Sequence, residues 1–109
     1  MLSPAALAQG SFSEKVTPYG CSEMDFWGAS TKPNSTTARA YTSHNNTVCL
    51  PGTGLQMSAQ VHTSGAASSV YWTSGYEVNA YLYNTSGTSY GAHRLNQYQH
   101  VVRDWYRNT

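Results

Sequence analysis

Four histidines, His44, His62, His93 and His100, are the side chains best suited by type to proton transfer. A small ribonuclease needs a His or Glu base, a His acid and an Arg for the phosphate. His93, Arg94, His100, Arg103 and Asp104 supply those types within one short run. Strand alternation, however, sends His93 and Arg94 to opposite faces, and no other spacing among them is diagnostic. Gly87-Thr88-Ser89-Tyr90-Gly91 matches the G-x-S-x-G elbow of serine hydrolases, but that turn sits on a large α/β sheet that 109 residues do not hold. Neither H-x-H nor H-E-x-x-H occurs, so the histidines do not read as metal ligands. The chain is therefore expected to carry no catalytic residue, metal or cofactor, with a small secreted hydrolase or ribonuclease as the alternative.

The tyrosines carry the other chemistry. Nine are present in a chain whose charged residues amount to 10%, with net charge +1. That balance argues against a polycationic nucleic-acid arm and against a solvating disordered tail. Thr-Ser-Gly recurs at 63–65, 73–75 and 85–87, with tyrosine-rich runs between. Gly takes positive φ without penalty and Ser or Thr hydroxyls bond the local backbone, so these tripeptides read as turns. The third predicts a hairpin on Ser86-Gly87. A two-residue loop pairs Tyr83 with Tyr90, whereas a four-residue loop pairs Tyr81 with Tyr90 and Glu77 with Arg94. Either register keeps Tyr81, Tyr83 and Tyr90 on one face, opposite Val78 and Leu82, with Asn79, Glu77 and Arg94 nearby. Tyrosine combines stiff contact area with a polar tip, which makes this face a candidate recognition platform. Ordinary cross-strand packing explains the same cluster without a ligand.

The elements that position these groups read as short strands. In residues 55–63, Leu55, Met57, Ala59 and Val61 alternate with Gln56, Ser58, Gln60 and His62, one dry face against one wet. In residues 76–84, Tyr76, Val78, Ala80 and Leu82 take the inward positions. Residues 21–28 suit a strand with Met24 and Phe26 on one face and Trp27 on the other. Residues 37–43 suit another, after a loop over 30–36 set by Pro33 and Asn34. A short strand covers 69–72. In residues 95–109, Leu95, Tyr98, Val101, Val102 and Trp105 recur at helical spacing, yet Val, Tyr and Trp favour a strand; strand is preferred and helix is the alternative. Turn signals 10 and 12 residues apart suit a sandwich. The expected fold is all-β: a small antiparallel β-sandwich of about seven short strands with one disulfide.

Residues 1–8 end in Ala6-Leu7-Ala8, the small-x-small pattern before a signal-peptidase cut, and read as a residual signal-peptide tail. Residues 9–19, with Pro18, read as an extended leader able to add a strand to a partner, and residues 20–109 as the single sandwich domain. Cys21 and Cys49, the two cysteines of the chain, suit a disulfide in an exported protein. Sequons at Asn34, Asn45 and Asn84 fall in expected loops. No run approaches a membrane span. A secreted, extracellular location follows, and with it a binding module for another secreted or cell-surface protein: an adaptor, an inhibitor or an accessory subunit of a secreted complex or toxin. The alternative is a carbohydrate-binding module whose glycan rests on the tyrosine platform. Nucleic acid is not an expected partner.

Overall fold

In the computed structural model, which describes residues 10–45, 49–85 and 87–109, eight antiparallel strands form two four-stranded sheets. They are β1 Ser11–Val16, β2 Met24–Asn34, β3 Thr37–His44, β4 Leu55–Thr63, β5 Tyr71–Thr73, β6 Glu77–Tyr83, β7 Ser89–Gln97 and β8 His100–Asn108. One sheet has the order β1-β2-β3-β6 and the other β5-β4-β7-β8. The all-β sandwich expected from the sequence is thus the fold, with eight strands. Residues 1–8, read above as a signal-peptide tail, lie outside the described residues.

The alternation of each strand decides which face it buries. Met57, Ala59 and Val61 of β4 meet Phe26, Ala38, Ala40, Val78 and Ala80 of the opposing sheet, while Gln56 and Gln60 face out. Alanines at the centre let the sheets approach closely, and the larger residues fill one end. There the Phe12 and Trp105 rings stack at 4.6 Å, with the Phe26 ring 6.1 Å from the indole. Gly91 of β7 is required by this packing: a Cβ on it would meet the Ser30 hydroxyl, the Ala40 methyl at 2.8 Å and His93 Nε2 at 2.9 Å.

Three segments differ from the sequence expectation. Ser11–Val16, within the expected leader, is a strand of the domain itself. It pairs with β2 from Ser11↔Ala29 to Val16↔Met24 and buries Phe12 and Val16. Glu14 ties it to the other sheet, accepting from Arg103 Nε at 2.8 Å and Trp105 Nε1 at 3.2 Å. Only Phe12 and Val16 mark this strand as apolar, so its period-two signal is short. The loop expected over 30–36 shrinks to a turn at Asn34–Thr37, because β2 runs on through Pro33. Residues 95–109 are strand rather than helix, but two strands meet there: Tyr98 and Gln99, at φ 52° and 65°, form a tight two-residue turn between β7 and β8. Paired positive φ values match the right-handed twist of the flanking strands, which is why so short a loop closes the hairpin.

A disulfide links Cys21 to Cys49 across 28 positions, next to the Leu50 N–H to Gly20 carbonyl bond at 2.7 Å, and neither cysteine is free. It fastens the β1–β2 connection to the segment entering β4. Closing a loop of that length stabilises by about 3–4 kcal/mol in the chain-entropy model.

Candidate functional site

The expected hairpin on Ser86-Gly87 does not form. Tyr83 of β6 pairs with Thr37 and Ser89 of β7 pairs with Thr63, so the two strands lie in different sheets and the connection crosses the sandwich. Ser86 itself lies outside the described residues; on either side of it Asn84 and Gly87 adopt positive φ. A Ser-Gly turn signal fixes where a chain reverses but not which strand receives it. Here β3 and β4 supply the partners.

The five residues assigned to one binding face therefore divide. Tyr81, Tyr83 and Asn79 stand on the outer face of the β1-β2-β3-β6 sheet. Tyr90 and Arg94 stand on the outer face of the opposite sheet. Tyr90 is 5% exposed and stacks on His62 at 4.8 Å. Arg94 meets Asp104 rather than Glu77, through Nε–Oδ1 at 2.7 Å and Nη2–Oδ2 at 3.0 Å. This bidentate contact holds the guanidinium above its already high ordinary pKa.

The first face gains members that the sequence reading passed over. Register places Trp27 beside Ser43 and Glu77, Tyr41 beside Asn79, and Arg39 beside Tyr81. Arg39 organises them. Its Nε donates to Asn79 Oδ1 at 2.9 Å, and its guanidinium lies 4.6 Å over the Tyr41 ring and 5.9 Å from that of Tyr81. Asn79 Nδ2 in turn donates to Glu77 Oε2 at 3.0 Å, and Ser43 Oγ to Glu77 Oε1 at 3.1 Å. The Asn79 and Ser43 donors, with the nearby Arg39 charge, hold the Glu77 carboxyl below its usual range. Tyr81 and Tyr83 lie parallel, centroids 5.9 Å apart, 39% and 64% exposed. The signal for Arg39 and Tyr41 was available: they alternate with Ala38 and Ala40 in residues 37–43, which puts them outward.

The histidines do not converge. His93 lies in the core, its Nε2 3.0 Å from Ser30 Oγ and its Nδ1 3.0 Å from Thr42 Oγ1. Burial lowers its pKa to about 4; the nearby Arg107 charge also lowers it, and a bond to the Tyr41 carbonyl acts the other way. His44 sits against Phe26 and Tyr76, and His62 on the outer face of β4. His100 opens β8, beyond the Tyr98–Gln99 turn. Arg103 is engaged by Glu14. Ser89, the serine of the G-x-S-x-G run, is buried in a strand with its hydroxyl on Thr109 Oγ1 at 2.7 Å. Among the described residues no group of three or more His, Cys, Asp or Glu side chains is placed to hold a metal ion, and no helix is long and apolar enough to cross a membrane.

No protein-family model, curated protein or solved structure matches this chain.

Proposed function

We propose that this chain is an exported recognition module that binds another secreted or cell-surface protein through the outer face of the β1-β2-β3-β6 sheet. The observation that carries this reading is that Trp27, Tyr41, Tyr81 and Tyr83 share one outer sheet face with Arg39, whose guanidinium lies over Tyr41 and near Tyr81. Tyr, Trp and Arg are the side chains that dominate protein–protein binding energy. The Arg39–Asn79–Glu77–Ser43 network holds the Arg39 guanidinium in place over the Tyr41 ring before a partner arrives, which lowers the ordering cost of association.

A glycan on the same face is disfavoured by how the rings are used. A pyranose stacks on a bare aromatic face. Tyr81 and Tyr83 lie parallel with centroids 5.9 Å apart, each turning one face towards the other, and the Arg39 guanidinium covers one face of Tyr41. What the surface offers is ring edges, phenol tips and a guanidinium, which suit the mixed surface of a protein. The Cys21–Cys49 disulfide supports export, since such bonds persist in oxidising compartments.

The test is affinity capture from the native secretome and cell envelope with the chain beginning at Gln9, beside Arg39→Ala and Tyr83→Ala variants of verified fold. A protein retained in stoichiometric amount and lost with both variants supports the reading. Retention that both variants leave unchanged refutes it.

A further inference from the structure

The opposite face of the sandwich is built differently. On the outside of the β5-β4-β7-β8 sheet, register sets Trp72, Ser58, Arg94 and Asp104 in one cross-strand row, and Gln60, Ala92 and Tyr106 in the next. The central strands contribute the small Ser58 and Ala92, while the flanking strands contribute the tall Trp72 and Tyr106. That difference in height makes a trough of about 550 Å³, within the ordinary range for small-ligand sites, whose lining includes His62 and Tyr90.

Its lining mixes apolar and polar side chains and is uncharged overall. Arg94 is neutralised by the bidentate contact with Asp104, and Tyr106 Oη adds a 3.4 Å bond to Asp104 Oδ2. His62 donates from Nε2 to Gln60 Oε1 at 2.8 Å, since an amide oxygen only accepts. Partial burial lowers its pKa, which keeps the ring neutral and leaves Nδ1 as an acceptor. Gln60 Nε2 is anchored on the Ser68 carbonyl at 2.9 Å. The Tyr106 hydroxyl is a further hydrogen-bond partner of the Arg94 guanidinium, whose five N–H donors exceed the two bonds that Asp104 accepts. Trp72 is 43% exposed and, unlike Tyr41, Tyr81 and Tyr83 of the first face, takes part in no ring stacking or cation–π contact among the described residues.

We propose that this trough is a second binding site, and that its ligand is an uncharged saccharide. The Trp72 ring supplies the apolar surface for the C–H face of a pyranose. The planar Arg94–Asp104 pair presents a donor edge beside acceptor lone pairs, the pattern that vicinal hydroxyls satisfy. An anionic ligand would find Arg94 already neutralised and Asp104 beside it; a cationic ligand would find the converse. The site lies on the sheet opposite Arg39 and Tyr83, so it does not depend on the protein-binding reading of the first face.

The test is an array of neutral and acidic oligosaccharides, followed by a 15N NMR titration of the full chain with the strongest neutral ligand. The expected result is saturable binding that shifts the Trp72 indole N–H and the Arg94 side chain. Trp72→Ala should weaken it at least tenfold, and Tyr83→Ala should leave it unchanged. Arg94→Gln, which breaks the ion pair, serves as a second variant whose fold is checked by its amide spectrum. Binding confined to acidic sugars, shifts confined to Tyr81 and Tyr83, or no binding by any neutral sugar overturns the proposal.

Discussion

Acid should destabilise this domain through the buried His93. Thr42 Oγ1 spends its proton on the Ser58 carbonyl at 2.9 Å, so it can only accept from His93, which fixes Nδ1–H as the donor. Nε2 then accepts from the Ser30 hydroxyl. A second ring proton would turn Nε2 from acceptor to donor, reversing that bond, and place a charge near Phe12, whose ring lies 4.8 Å away and has the Arg107 guanidinium 5.9 Å from its centroid. With a folded pKa of about 4 against an ordinary value of 6.5, the unfolded chain binds the extra proton first as pH falls. Stability is therefore full above pH ~6.5, declines through the interval, and is lower by about 3 kcal/mol once pH is below the folded value. Between about pH 7 and pH 5, where carboxylates contribute little, the loss should be about 2 kcal/mol. Urea unfolding at several pH values measures it, with His93→Asn as the comparison and the His93 ring titration followed by NMR. A His93 that titrates near its ordinary value refutes the reasoning. So does a wild-type profile parallel to that of the variant across this interval.

Three further outcomes follow from the core. Phe12→Ala should cost about 3–4 kcal/mol in urea unfolding, since it empties the stack on Trp105; a cost below about 1 kcal/mol would mean that β1 is not part of the core. Gly91→Ala should destabilise by about 1–3 kcal/mol and shift the His93 ring resonances, because the added methyl overlaps the Ser30 hydroxyl and approaches Nε2. Reducing Cys21–Cys49 should lower stability by about 3–4 kcal/mol, read as a lower urea midpoint with dithiothreitol; an unchanged midpoint would contradict the loop-closure argument.

Much of this architecture is legible in the sequence because it rests on strong local signals. The alternation of residues 55–63 identifies both faces of β4, including the outward Gln60 and His62 that later line the trough. The even cysteine count identifies the disulfide. Legibility fails where the decisive interaction is distant. The turn at 84–87 is visible, but the choice between a hairpin and a crossing depends on what β3 and β4 offer as partners, and that choice moves Tyr90 and Arg94 away from Tyr81. Strand β1 has two apolar residues, and its third inward position is Glu14, whose partners Arg103 and Trp105 lie about ninety residues away. The helical spacing from Leu95 to Trp105 arises because a two-residue turn interrupts two strands, so an apolar period spans a hairpin rather than a helix.

The most direct measurement of whether the aromatic–arginine face recognises a protein is site-specific photocrosslinking. A benzophenone amino acid replaces Tyr83 in one sample and Trp72 in another, and each is irradiated with the native secretome and cell envelope. Binding through the β1-β2-β3-β6 face predicts one dominant protein adduct from position 83 and none from position 72, the adduct vanishing with Arg39→Ala. No adduct at position 83, or the same adduct from both positions, would contradict it.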